Sequence, residues 1–324
     1  MAQSRKTVGL IFGGQGYESE VSLLGEKYIR PWIQKNYDCI PIFIDKNGRW
    51  LFNNQEILPH RGGFIFPDTQ NRIEVDCAFP LLHGNFGEDG IIQGALDSAG
   101  IPYVGCSGRV GAICRNKAVV KAVAKLLKVP TLPFVLVSRE NFNIQKIEDS
   151  LDYPMFVKPT DLGSSYGANE ARDKNQLILA LNNAFALSDR VIIENLIEPK
   201  RELECGYLQY NGKHLFTNCG EITYTKGFYD YSKKYFGGAK VIEKACVDQK
   251  VNETIKEYSL RLVKFLGVIG LSRIDFFLSG DEIYFNEINT MPGFTKDSLY
   301  LKMLSASGIS PETAIKTLID SAIG

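Results

Sequence analysis

Leu271-Ser-Arg-Ile-Asp-Phe-Phe-Leu278, Ser279-Gly-Asp281, Glu282-Ile-Tyr-Phe-Asn-Glu-Ile-Asn289 and Thr290-Met-Pro-Gly293 follow one another without a break. Two apolar runs around a Ser-Gly-Asp turn predict a β-hairpin. Pairing Leu278 with Glu282 sets odd-numbered residues against odd-numbered ones, so Arg273, Asp275, Glu287 and Asn289 share one face. Asp275 and Glu287 are then diagonal neighbours, roughly 7 Å or less apart at Cβ. Two carboxylates and an amide oxygen gathered in this way repel one another unless a positive charge sits between them. Hard oxygen donors of this kind suit Mg²⁺, which one or two carboxylates and substrate phosphates usually hold. The competing reading is a solvated strand face with ordinary charges.

At 324 residues the chain exceeds the roughly 250–300 at which a single core stops growing, so two or three domains are expected. The 37 basic and 37 acidic residues cancel, which leaves no general basic field to collect nucleic-acid phosphates. Seven cysteines are dispersed with no C-x-x-C pair. They predict small buried hydrophobes in a reducing compartment, the cytoplasm, without disulfides or zinc. The apolar run Val8–Phe12 is too short for a signal peptide, and no apolar stretch approaches membrane-spanning length.

The first part of the chain alternates strands (Thr7–Phe12, Cys39–Asp45, Val75–Leu81, Pro102–Val104) with helices (Glu18–Ile33, Ile91–Ala99), a doubly wound α/β pattern with a parallel sheet. A Pro/Gly-punctuated excursion follows the second strand. The Gly13-Gly-Gln-Gly16 turn invites a dinucleotide site with Asp45 as ribose acid, but Ser19 occupies the third glycine position. A strand-to-ligand turn with Glu18 at its lip is the blander use.

A new region begins at Asn116-Lys117 with a helical stretch over Ala118–Leu127. The strand Met155–Pro159 carries Lys158 and runs into Thr160-Asp-Leu-Gly-Ser-Ser-Tyr-Gly167. Such a small-residue loop can fold over phosphates, or serve only as a connector; it is not a Walker sequence. Val191–Glu194 is a further strand with an acidic end, placed for a nucleobase amine or ribose hydroxyl, or a plain strand terminus. Gly227-Phe-Tyr-Asp-Tyr-Ser-Lys-Lys-Tyr235-Phe-Gly-Gly238 is aromatic, basic and glycine-bounded, suiting either a mobile lid or a packed Ω-loop. Glu253–Leu266 and Glu312–Ile323 read as helices.

Together these pieces resemble the D-alanine–D-alanine ligases of the ATP-grasp superfamily, from about Thr7 to about Ile309. The resemblance is carried by Gly13-Gly14 with Glu18-Ser-Glu-Val-Ser-Leu23, Leu82-His-Gly-Asn-Phe-Gly-Glu-Asp-Gly90, Gly100-Ile-Pro-Tyr-Val-Gly105, Lys158-Pro with Gly163-Ser-Ser-x-Gly167, Phe228–Tyr235 and the Arg273-to-Ser298 block. D-alanine–D-serine and D-alanine–D-lactate ligases share most of these motifs. The resemblance implies an α/β ATP-grasp fold with an N-terminal substrate-binding domain (1–115), a central ATP-binding lid domain (116–205) and a C-terminal catalytic domain (206–324).

It further implies an ATP-dependent enzyme that joins two D-alanines through an acyl phosphate for peptidoglycan synthesis, as a cytoplasmic homodimer. Asp275, Glu287 and Asn289 would hold two Mg²⁺ or Mn²⁺ ions. Arg273 and the Gly293 N–H would form the oxyanion site, and Lys117 and Lys158 would meet the ATP phosphates. Glu194, Asn195, Ile197, Glu202 and Phe228 would line adenine and ribose. Glu18, with His83 beside it, would anchor the first ammonium, unless His83 is structural. Ser164 would bond Tyr235 on lid closure, while Lys234, Ser298 and Leu299 would form the second-substrate pocket. The chain departs from the family pattern at Arg115-Asn116-Lys117, where Met-Asp-Lys is usual, and at Asn195, Tyr166, Ala168, Glu170 and Lys296-Asp297. A dehydrogenase or a non-catalytic binding protein is the remaining class, and the missing glycine argues against it.

Overall fold

The computed structural model describes residues 5–198, 200–224 and 239–324. β1 (Thr7–Gly13) is apolar and almost wholly buried because it lies between two parallel neighbours, β2 (Asp38–Ile44) and β7 (Cys77–Pro80). α1 (Ser19–Asn36) makes the crossover between β1 and β2, with Val21, Ile29 and Ile33 on its buried face. The excursion after β2 folds as β3 (Trp50–Phe52), β4 (Gln55–His60), β5 (Gly63–Ile65) and β6 (Arg72–Glu74), giving the order β6-β5-β4-β3-β2-β1-β7. These added strands pair antiparallel, since connections this short cannot return a chain in the parallel sense. The parallel core is three strands wide, and Tyr103 adds a single parallel bridge to Ala78.

α2 (Ile91–Ser98), α3 (Gly108–Arg115) and α4 (Lys117–Leu126) lead out of this unit. Asn116 starts α4 by accepting the Val119 N–H at 3.1 Å, a side-chain cap. A second, antiparallel sheet has the order β10-β9-β11-β8, from β8 (Phe134–Ser138), β9 (Met155–Pro159), β10 (Asn169–Ala171) and β11 (Arg190–Asn195). α5 (Ile144–Glu148) and α6 (Lys174–Phe185) cover one face, burying Met155, Val157, Leu177, Leu181, Val191 and Ile193. Strand alternation turns Lys158 and Glu194 to the other face.

The third sheet, β15-β14-β12-β16-β17, comprises β12 (Arg201–Tyr210), β14 (Gly220–Tyr224), β15 (Ala239–Ile242), β16 (Leu271–Ser279) and β17 (Glu282–Asn289), with β13 (Lys213–Phe216) paired to β12. The 205/206 boundary expected between domains falls inside β12. α7 (Gln249–Leu266) contributes Ile255, Leu262 and Val263 to the core behind this sheet. α8 (Leu299–Ala306) and α9 (Pro311–Ile323) close the chain. α9 returns to the first unit, where Ile315 and Ile319 share a core with Ile29 and Ile33.

The β16–β17 hairpin has a different register from the expected one. Ser279 pairs with Glu282 across a two-residue turn, so Phe276 opposes Phe285 and odd positions first face even ones. A bulge beside Asn286 then shifts the ladder by one residue, and Asp275 directly opposes Glu287 while Arg273 opposes Asn289. The shared face of these four residues is found, but the bulge creates it. On β17 the core side chains are Ile283 and Phe285, then Ile288, and the skipped step lifts Glu287 and Asn289 out of the core face.

Candidate active site

Every residue to which the ligase resemblance gives a role, and that lies among the described residues, lines one cavity of about 350 Å³; Asp45 does not. Phe228, Lys234 and Tyr235 lie outside the described residues.

The floor of the cavity is built from three adjacent strands. Glu204 on β12, Asp275 on β16 and Glu287 on β17 form one cross-strand row, and Gly206, Arg273 and Asn289 form the next. Such a row of carboxylates needs cations nearby. Arg273 supplies one, its Nε and Nη2 donating to Asp275 Oδ1 and Oδ2 at 2.8 and 2.7 Å, with Nε also 3.1 Å from Glu204 Oε2. Burial works against the Arg273 charge, but Asp275 and Glu204 outweigh it and hold the guanidinium firmly protonated. Lys117 Nζ lies 3.4 Å from Glu287 Oε2 and donates to the Leu162 carbonyl at 2.6 Å. Asn289 Nδ2 donates to Asp275 Oδ2 at 3.0 Å, so its amide oxygen points away from that carboxylate.

Glu204 and Asp275 both meet Arg273, and Asp275, Glu287 and the Asn289 oxygen are the hard donors of β16 and β17 on this face. No group of three or more His, Cys, Asp or Glu side chains is placed to hold a metal among the described residues. The set nevertheless fits Mg²⁺ or Mn²⁺, which take few protein carboxylates and complete their shell with phosphate oxygens and water.

Glu194 lines the cavity and is held there by two lysines. Its carboxylate is 1 % exposed and sits between Lys121 Nζ at 2.6 Å and Lys158 Nζ at 2.5 Å. Burial pushes its pKa up, but the two lysines more than offset this and bring it to about 2. Its side chain therefore fixes Lys158 at the cavity wall. Lys121, fully buried, also donates to the Phe285 carbonyl at 3.3 Å and ties α4, β11 and β17 together. Burial, partly opposed by Glu194, lowers the Lys121 pKa to about 8.

On the opposite wall Ser164 donates to Glu18 Oε1 at 2.5 Å. His83 hydrogen-bonds the Met291 carbonyl through Nδ1 at 3.1 Å; a carbonyl only accepts, so the ring proton is on Nδ1. Gly84 has φ +70°, and a Cβ there would lie 2.2 Å from Glu18 Oε2. Gly84→Ala should thus displace Glu18 and, under the role that the ligase resemblance implies for Glu18, raise KM for the first amino acid by about tenfold or more at a smaller change in KM for ATP. Steady-state kinetics with each substrate varied in turn checks this. Near Gly293, Ser298 Oγ accepts the Thr295 N–H at 2.9 Å, and Leu299 is buried against Ile222 and Met303.

Family models for the D-ala D-ala ligase N-terminus and C-terminus match residues 7–106 and 123–320. The chain belongs to the D-alanine–D-alanine ligase family. It is 37 % identical to the D-alanine–D-alanine ligase of Caldicellulosiruptor bescii, over 98 % of this chain and 94 % of that one. It is 35 % identical to D-alanine–D-alanine ligase A of Escherichia coli, over 98 % and 95 %. The solved structure of the VanG D-Ala:D-Ser ligase from Enterococcus faecalis superposes with a TM-score of 0.90 at 32 % identity, covering 98 % of this chain and 99 % of that one. The chain thus has the ATP-grasp fold of this ligase family, whose members serve peptidoglycan synthesis.

Nothing in the sequence marks Glu204, Lys121 or the pairing of Arg115 with Glu88 as parts of the site. Arg115 Nη1 lies 3.5 Å from Glu88 Oε2, both side chains under 10 % exposed. All seven cysteines are free; five are buried and Cys39 is half-buried, but Cys246 is exposed, against the expectation of burial. No helix among the described residues is long and apolar enough to cross a membrane.

Proposed function

We propose that this protein is an ATP-dependent D-alanine–D-alanine ligase working through an acyl phosphate. The observation that carries the reading is the double row Glu204–Asp275–Glu287 and Arg273–Asn289, with Lys117 joining Glu287 to the serine loop. Phosphate-binding, charge-neutralising and oxyanion-binding groups thereby face one cavity.

Glu18 receives the ammonium of the first D-alanine, which directs its carboxylate towards Arg273. Lys117 and Lys158 take the ATP phosphates, and the backbone around Asn195 and Ile197, Glu202 and Phe228 holds the nucleoside. A carboxylate oxygen of the first D-alanine attacks the γ-phosphorus, ADP leaves, and the acyl phosphate forms. The neutral amine of the second D-alanine, whose carboxylate is held by Lys234 and Ser298, then attacks the acyl carbon. The tetrahedral oxyanion is received by Arg273 and the Gly293 N–H, and its collapse expels phosphate as the amine loses its proton. Asp275, Glu287 and Asn289 would hold two Mg²⁺ or Mn²⁺ ions, which when bound neutralise phosphate charge. Ser164 and Tyr235 close the site from the lid side. The working form is a cytoplasmic homodimer.

Leu299 sets the acceptor. It lies in a buried apolar cluster with Ile222 and Met303, a wall that offers a serine hydroxyl no partner. In D-serine and D-lactate ligases of the resistance type, which the chain resembles, an arginine often follows the serine. Burying an unpaired hydroxyl costs about 1–3 kcal/mol, so D-alanine should exceed D-serine as acceptor by roughly tenfold to a hundredfold in kcat/KM. The similarity to the VanG enzyme favours D-serine as the second reading. Competing D-alanine, D-serine and D-lactate over a pH range decides between them: equal values, or a preference for D-serine, would overturn the assignment to D-alanine.

A further inference from the structure

Three successive backbone carbonyls of the serine loop accept hydrogen bonds from three different side chains. Arg115 Nε donates to the Asp161 carbonyl at 2.9 Å, Lys117 Nζ to that of Leu162 at 2.6 Å, and the Tyr17 hydroxyl to that of Gly163 at 3.3 Å. Beyond them the chain bends through Ser164 and Ser165, both left-handed at φ 50° and 55°. That conformation is unfavourable for residues with a Cβ and persists only where surrounding contacts impose it.

The three restraints are not equivalent. Under the function proposed above, on which this inference rests, Lys117 must share its ammonium between Leu162 and a nucleotide phosphate, which weakens its hold on the loop. Tyr17 contributes one long neutral bond, together with the stacking of its ring on Tyr166 at 4.7 Å. Arg115 is anchored elsewhere, with Nη2 donating to Asn85 Oδ1 at 3.4 Å and Nη1 3.5 Å from Glu88 Oε2. Glu88 in turn accepts the Gly84 N–H at 2.8 Å, in the loop that flanks Glu18. A Cβ on Gly163 would come within 2.7 Å of Nη1, so the loop backbone lies directly against the guanidinium.

We infer that Arg115 is a positioning residue, clamping the serine loop to the loop of residues 83–90 so that Ser164 stays on Glu18 while Lys117 also engages phosphate. It touches no reacting atom. Its effect is to join the phosphate-binding loop to the site of the first amino acid.

The test compares wild type with Arg115→Met and Arg115→Lys by hydrogen exchange of residues 161–167 without ligands, and by steady-state kinetics. Losing a charge-assisted hydrogen bond should speed exchange of the loop amides and raise KM for ATP by about tenfold or more, with kcat changing less than about threefold. Lysine keeps the charge without the planar fork and should fall between the two. A purely structural role would lower the melting temperature without this split between KM and kcat. Should Arg115→Met not fold, Arg115→Lys carries both measurements and must still show faster loop exchange. Unchanged exchange and unchanged KM for ATP would overturn the inference. Exchange needs no turnover, so a wild-type protein without ligase activity would overturn the proposed function and still leave Arg115 decided.

Discussion

Glu287→Gln should lower kcat by on the order of 100-fold or more and raise the Mg²⁺ concentration needed for half-maximal rate. The substitution keeps the size of the side chain and removes one of the two carboxylates facing the phosphates. Several kcal/mol of charge stabilisation are at stake, each 1.36 kcal/mol being worth about tenfold. Folding should persist, because Glu287 is at the rim of the sheet core and Lys117 keeps the Leu162 carbonyl as acceptor. Turnover against Mg²⁺ concentration, with a thermal melt as control, reads both effects. Near-normal turnover at ordinary Mg²⁺ would leave Asp275 and Glu287 as partners of Arg273 and Lys117 with no part in holding a metal.

Arg273 should separate into a catalytic and a structural contribution. Arg273→Lys retains one positive charge between Glu204 and Asp275 but loses the bidentate fork, so the fold should survive while kcat falls by about 10²–10³, as for loss of an oxyanion donor. Arg273→Ala leaves two carboxylates opposed across β12 and β16 without a cation. Breaking a buried ion pair in this way costs about 3–5 kcal/mol, so the alanine variant should also melt at distinctly lower temperature. A lysine variant with wild-type kcat would remove Arg273 from the oxyanion site. An alanine variant as stable as wild type would mean that the carboxylate row is balanced by other groups.

The hairpin shows how far the sequence could be read. The common face of Arg273, Asp275, Glu287 and Asn289 was legible, but the register proposed for it was not the one adopted. The signal was present in the apolar spacing: Ile283 and Phe285 are two apart, whereas Ile288 follows after three, the interval of a bulge. β12 escaped notice because Arg201, Glu202 and Glu204 interrupt its apolar residues. Its glutamates are tolerable in a central strand only because Arg273 and the cavity lie on that face. In the Pro/Gly-punctuated excursion after β2 no strands stand out in the sequence, since they are three to six residues long and each depends on its neighbour.

Lys121 marks another limit. A lysine on an amphipathic helix reads as a solvent-facing residue, and only the approach of Glu194 from the second sheet makes its complete burial possible. The same holds for Glu194: the sequence places an acid at a strand end but does not name the two lysines that flank it. Arg115 was legible only as a departure from a family pattern, and its three contacts come from loops distant in the chain.

Under the proposed mechanism a carboxylate oxygen of the first D-alanine becomes bonded to the phosphorus transferred from ATP. The most direct measurement uses D-alanine labelled with ¹⁸O in its carboxylate, with the released inorganic phosphate analysed by mass spectrometry. The acyl-phosphate account predicts one labelled oxygen in each phosphate, formed together with dipeptide and ADP. Phosphate that carries no label, while dipeptide still forms, would contradict it.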